Sequence, residues 1–386
     1  MMPDLYQARV QELPCHASVL QGDAQGNSVM HPSPVDHPGR TFLHDTDAHD
    51  PLARYPSRLR HVTVAIPVRD EAKRLHRLLQ ALAGAAQACD LPVTALVLAN
   101  NCTDASERIA RSFRSPALQV SVHSVTFPVS TASAGRARRV AMDLAARTGG
   151  LLMTTDADAI PAQGWIRAAL DAMGDGADLV CGSISADVPH VLATPSGARI
   201  TRAEEGYSTL LRRVRHRLDQ VAGRQSAQSQ TPHYMESGAS MAIRADLYRA
   251  IGGLPALDFG EDRALVFRAE AHGLAVRYSC DMTARVSGRL QGRADGGMAA
   301  CLRHRMQDAD PLADQAMILP DALRAMWDEA MSGSIRAYPD RSVPAGPTLR
   351  ASDLEARLAD LAALVDGTVD PDFARWSDRH AAMVVG

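Results

Sequence analysis

The middle of the chain alternates between two spacings of apolar residues. Val62, Val64, Ile66 and Val68 recur at every second position, the period of a strand. Leu75, Leu78, Leu79 and Leu82 then follow at helical spacing, which predicts a helix from about Asp70. Residues 93–99, VTALVLA, form a near-continuous apolar run, as in a central strand covered on both faces. The following turn, NNCTD, offers Thr103 or Asp104 to cap the next helix. A third strand is predicted at 118–125, a helix at 135–147 and a fourth strand at 151–155. Strand–helix alternation of this length predicts a largely parallel α/β sheet.

After Trp165 the order loosens. The pattern predicts a helix near 163–173, a strand at 177–186 and a long basic helix near 201–222. A polar loop at 223–237, a strand at 238–244 and a helix at 260–273 follow. Residues 310–386 read as Pro-broken helices, with Leu354, Leu358, Leu361 and Leu364 on one stripe. Residues 1–58 are rich in Pro, His, Asp and Gly and carry little periodicity. Their histidines (His16, His31, His37, His44, His49) lack the spacing of a specific metal site. The predicted organisation is a flexible extension at 1–58, an α/β domain at 59–305 and a helical C-terminal segment at 306–386.

Bulk properties narrow the function. A net charge of −3 and 4% aromatic residues give no reason to expect a nucleic-acid partner. The six cysteines include no CxxC pair, and no signal peptide precedes them, which predicts a reducing, cytoplasmic setting. No run of about 18 apolar residues exists, so no transmembrane helix is expected. The basic stretch at 210–220 reads as a solvated face or as a peripheral contact with anionic lipid.

The chemistry gathers where strands end. The fourth strand stops in Asp156 and Asp158, at the carboxyl edge where open α/β sheets bind ligands. Two carboxylates there repel unless a positive charge holds them, and a divalent cation such as Mg2+ or Mn2+ is one solution. Solvated turn or cap aspartates are the plainer reading. The first strand ends in IPVRDE and the second in ANNCTD, so three sheet positions put polar groups on one edge. Glu261 and Asp262 open a helix after Gly260, where acidic residues also suit the helix terminus. Arg285, Arg289 and Arg293 lie among glycines, as a solvated loop or a clamp on phosphate oxygens.

This order of motifs resembles the family 2 glycosyltransferases of the GT-A fold. The matching stretches are Ile66 to Glu71, Asn100 to Asp104, Ala137 to Arg139, Asp156 to Asp158 and the Glu261–Asp262 pair. The resemblance covers about residues 61–300. It implies a three-layer α/β/α fold with a mostly parallel, mixed central sheet. Pro67, Arg69, Glu71, Asn100, Arg138, Asp156 and Arg293 would contact the donor, with Asn100 standing where the family usually has an Asp. Asp158 and Asp156 would hold Mg2+ or Mn2+, and Asp262, with Glu261 beside it, would be the catalytic base. The implied reaction is metal-dependent, inverting transfer from a UDP- or GDP-linked sugar to an unidentified acceptor hydroxyl. The QxxRW element of processive synthases is absent, which favours transfer of single sugars. A nucleotidyltransferase is the first alternative, although IPVRDEAKRL lacks its Gly-rich, Lys-bearing loop. A non-catalytic scaffold that kept the fold is the second.

Overall fold

A computed structural model describes residues 59–292, 297–334, 338–343 and 345–385. The extension at 1–58 and Arg293 lie outside the described residues. Eight strands form one sheet in the order β3-β2-β1-β4-β7-β6-β8-β5. They are β1 (Val62–Val68), β2 (Val93–Asn100), β3 (Gln119–Val125), β4 (Leu151–Thr154), β5 (Ile160–Pro161), β6 (Leu179–Ala186), β7 (Met241–Arg244) and β8 (Val276–Val286). Strands β1 to β4 run parallel, while β7 lies antiparallel to both β4 and β6. Strand β8 is parallel to β6, and β5 pairs antiparallel on its outer edge.

Alternation along β1 decides what each face buries. Val62, Val64, Ile66 and Val68 face a core shared with helices α1 (Leu75–Gln87), α2 (Ser106–Ser112) and α4 (Trp165–Gly174). Ala65, Leu96, Leu98 and Leu152 face the opposite core. There they meet α3 (Ala134–Ala145), α7 (Ala245–Ala250) and α8 (Glu261–Ala271). Helices on both faces of one mixed sheet make the three layers of a GT-A fold.

The remaining helices gather beside the sheet. They are α5 (Pro189–Leu192), α6 (Pro195–Val221), α9 (Met298–Gln307), α10 (Pro320–Met331), α11 (Ala351–Leu364) and α12 (Asp370–Val385). Residues of α6, α10, α11 and the start of α12 share one core around Tyr207, Trp327, Leu354 and Phe373. No helix among the described residues is long and apolar enough to cross a membrane.

Several boundaries differ from the sequence reading. Helix α1 starts at Leu75 rather than near Asp70, because Asp70 takes a left-handed φ of 52° and residues 70–74 form a turn. Helix α6 starts at Pro195, earlier than 201, since Thr194 caps it by accepting from Gly197 N–H and Pro fits the first turn. Strand β8 was missed, although Val276, Tyr278, Cys280, Met282, Ala284 and Val286 alternate with period two.

Candidate active site

The order of strands reverses between β1 and β4, and the loops after these two strands frame a crevice. The loops after β1 and β2 are locked to each other. Asp70 Oδ1 accepts from Thr103 N–H (2.7 Å), the Thr103 hydroxyl (3.2 Å) and Asp104 N–H (3.2 Å). Asp104 reciprocates, accepting from Ala72 N–H (3.0 Å) and Ser106 N–H (2.8 Å). Glu71 N–H donates to the Ser106 hydroxyl (2.8 Å), and the Glu71 side chain is buried. Asn100 is also buried and donates its amide to the Val68 carbonyl (2.9 Å), tying the end of β2 to β1. Pro67 is half-buried in β1 and Arg69 is exposed beside the crevice.

Asp70, Cys102 and Asp104 bring ligand-type atoms within 4.8 Å of one another. The two carboxylates spend oxygens on backbone N–H groups, and the Cys102 thiol donates to the Val68 carbonyl at 3.3 Å. Burial pushes that thiol's pKa up, away from the thiolate a metal prefers. The trio is built as a loop lock.

Arg138 is the hub of the site. Helix α3 delivers it because Ser133 caps the helix and Gly135 lets it approach the turn at 257–258, where a Cβ would stand 2.2 Å from the Leu257 carbonyl. Arg138 Nε donates to Glu261 (2.8 Å), and Nη2 donates to Asp156 (2.6 Å). Its Nη1 donates to the Thr154 hydroxyl and the Gly238 carbonyl, both at 2.9 Å. Only glycine fits at 238, since a Cβ there would lie 2.4 Å from Arg138 Cζ. Gly238 N–H in turn donates to Asp262 Oδ2 (2.9 Å), and Arg263 N–H donates to Asp262 Oδ1 (2.9 Å). One guanidinium therefore joins the end of β4 to the acidic start of α8. Burial alone would lower the Arg138 pKa, but Asp156 and Glu261 raise it above its ordinary value. Burial and then Asp262 push Glu261 up to about 7, against the pull of Arg138. Arg138 thus directs these donors at the protein, where the resemblance implied a donor contact.

Arg289 makes the second junction. Pairing of Ile160 with Arg285 brings the loop after β8 back over the two aspartates. Arg289 forms a forked pair with Glu71, one arm at 2.7 Å, and its Nη2 lies 3.3 Å from Asp158. Arg74 adds a looser contact to Glu71 at 3.6 Å. Burial first, then Asp156, raises Asp158 to about 6, with Arg289 opposing. In this linked network five carboxylates (Glu71, Asp156, Asp158, Glu261, Asp262) meet three guanidiniums (Arg74, Arg138, Arg289), an excess of two negative charges when all five are ionised, and the raised pKa values of Asp158 and Glu261 reflect that crowding. That excess, on hard oxygen donors, fits a divalent cation. A polar cleft of about 560 Å³, lined by Lys73, Arg74, His190, Arg289 and Gln291 among others, opens beside it. Its size falls in the range of small-molecule sites.

The sequence reading singled out Arg138, Arg289 and the carboxylates Glu71, Asp156, Asp158 and Glu261, but not which of them pair. Thr154 and Gly238 carry no motif, and Glu261 lies 123 residues from Arg138.

A family described as Glycosyl transferase family 2 matches residues 63–247. Search of curated proteins gives no match. Among solved structures, Staphylococcus aureus TarS 1-349 with UDP-GlcNAc aligns at 13% identity and a TM-score of 0.42, over 79% of this chain and 73% of that one. The UDP complex of the same TarS fragment aligns over 59% of this chain and 61% of that one, less than two thirds of its length, at 15% identity and a TM-score of 0.40. Glucosyl-3-phosphoglycerate synthase from Mycobacterium tuberculosis, with Mn2+, UDP and phosphoglyceric acid, aligns at 18% identity and a TM-score of 0.39, over 64% and 77%. The Pyrobaculum calidifontis mannosyltransferase PcManGT, with GDP-Man and Mn2+, aligns at 18% identity and a TM-score of 0.42, over 86% and 82%.

Proposed function

Residues 63–247 form a family 2 glycosyltransferase domain, and from that premise we propose that this glycosyltransferase moves a single sugar from a UDP- or GDP-linked donor to an acceptor hydroxyl with inversion. The observation that carries the reading is the Arg138 junction, which holds Asp156 and the Glu261–Asp262 pair around one guanidinium. Donor-side and base-side carboxylates on separate elements are what in-line transfer requires. Asp262 is the base, its carboxylate oriented by the N–H groups of Gly238 and Arg263. The acceptor oxygen forms a bond to the sugar C1, its proton passes to Asp262, and the C1–oxygen bond to the diphosphate breaks with its electron pair leaving on the nucleotide. Glu261 and Arg138 position this base. Asp158 and Asp156 are the residues that would hold Mg2+ or Mn2+, which when bound neutralises charge on the departing diphosphate. Pro67, Arg69, Glu71, Asn100 and Arg293 remain the proposed donor side of the crevice. We place the reaction in the cytoplasm.

Calorimetry with UDP and with GDP, each with and without Mn2+, tests this on the wild type and on Asp158→Ala. Metal-dependent binding of one nucleotide, lost in the variant, is expected. Equal binding by a folded Asp158→Ala variant, or binding of neither nucleotide by the folded wild type, would overturn the metal–diphosphate role.

A further inference from the structure

A second cavity, of about 140 Å³, lies where the sheet domain meets the C-terminal helices, between α6, residues 233–237 and residues 314–317. Its walls include Leu211, Met235, Met298 and Met317, with Tyr234 and Tyr338. Charged residues line it as well, but its volume is close to the ~150 Å³ that holds a benzene-sized group, and methionines adapt readily to such a guest.

Three of the four guanidiniums that line it are paired with carboxylates, and the fourth, Arg212, donates to the Thr209 hydroxyl at 3.4 Å. Arg215 lies 3.0 Å from Glu236 and 3.1 Å from Glu270, while Arg341 lies 2.6 Å from Glu236 and 3.4 Å from Glu270. Burial pushes Glu236 up, but Arg341 and Arg215 hold it well below the usual carboxylate range. Arg263 is likewise paired with Asp314 at 2.8 Å. An anionic guest would therefore compete with buried carboxylates already seated on these guanidiniums, and a cation would compete with the guanidiniums. The Tyr338 hydroxyl is buried on this wall without a hydrogen-bond partner, and buried polar groups of that kind call for one. The lining residues Glu236 and Ser237 run directly into Gly238, whose N–H holds Asp262.

We propose that this cavity is the acceptor site and that the acceptor is an uncharged alcohol carried on an apolar group about the size of a six-membered ring. This rests on the transferase reading for the word acceptor, while the choice of ligand rests on the cavity alone.

The test uses the full chain without donor, titrated with benzyl alcohol and with 4-(hydroxymethyl)benzoate by ligand-observed NMR. Two filling variants, Ala316→Phe and Ser208→Phe, act from different segments of the chain, so one misfolded variant does not end the test. Saturable binding of benzyl alcohol is expected, weakened about tenfold or more by either folded variant, with the carboxylate analogue weaker by a similar factor. Equal binding of the carboxylate, or benzyl alcohol binding that neither folded variant changes, would overturn the proposal. The same samples are then given UDP- and GDP-sugars. Binding without transfer from any donor leaves the ligand class standing and counts against the transferase reading. Transfer only to charged acceptors that benzyl alcohol does not inhibit does the reverse.

Discussion

Replacing Arg138 by Met separates two roles for the same side chain. The guanidinium is nearly buried, with side-chain exposures of 8% for Arg138, 7% for Glu261 and 37% for Asp156. The Asp156 limb is screened by water and contributes at most about 1 kcal/mol. The Glu261 limb is dry, and stripping a buried carboxylate of its partner costs about 3–5 kcal/mol. Glu261 can escape part of that by taking a proton, since its pKa already stands near 7. The Thr154 hydroxyl and the Gly238 carbonyl each lose a donor, for about 1 kcal/mol apiece. The expected loss is roughly 5 kcal/mol at pH 8, a large share of the ~5–15 kcal/mol by which domains are stable. The loss depends on pH with a definite sign. Without Arg138 the folded-state pKa of Glu261 rises further above its unfolded value, so the variant's stability falls as pH rises through that folded pKa. Urea denaturation at pH 5 and pH 8 reads this directly, with the variant closer to wild type at pH 5. An Arg138→Met protein with wild-type stability at pH 8 that no longer binds nucleotide would refute the reasoning, because Arg138 would then be a donor ligand and not an internal hub.

Three further outcomes follow from the same contacts. Asp262→Asn should leave donor binding intact in calorimetry and lower turnover by about 10²–10⁴-fold, the span of a lost general base. Glu204 is buried against Arg305 at 2.6 Å and is raised by burial to about 7, so wild-type stability attributable to it is present below pH 4.5 and lost as pH rises through 7. Glu204→Gln should flatten that part of the urea-midpoint profile, while Glu204→Ala should cost about 3–5 kcal/mol by stranding Arg305. Gly238→Ala should displace Arg138 or residues 236–238, lowering turnover in a steady-state assay more than it lowers the melting temperature.

The fold was legible where burial imposes a period. Strands β1 and β2 and helix α3 announce themselves through runs that must face a core, and Asp156 and Asp158 stand out because charge interrupts such a run. Strand β8 carried the same signal and was passed over beside the arginine-rich loop that follows it. Strand β5 has two residues and no period to read. The site was legible as residue types but not as a circuit. Sequence suggested a cation between Asp156 and Asp158, and the structure adds Arg138 on one and Arg289 on the other. Those partners come from α3 and from the loop after β8, and no local spacing encodes that meeting.

The circuit also changes what the C-terminal helices are for. Read from sequence they form an attached segment beginning near 306. In the fold, Arg263, the residue after the proposed base, forms a forked pair with Asp314, and Asp314 N–H donates to Glu204 on α6. Glu204 in turn binds Arg305 of α9, and Arg341 reaches back to Glu236, two residues before Gly238. Buried ion pairs add little net stability compared with apolar packing, and in some proteins they fix one arrangement over others. Here the arrangement fixed is that of Gly238 and Asp262, the N–H and the carboxylate on which the base depends. Under the role proposed for Asp262, residues 314 and 341 act by setting the position of that carboxylate, and the C-terminal segment helps build the proposed site.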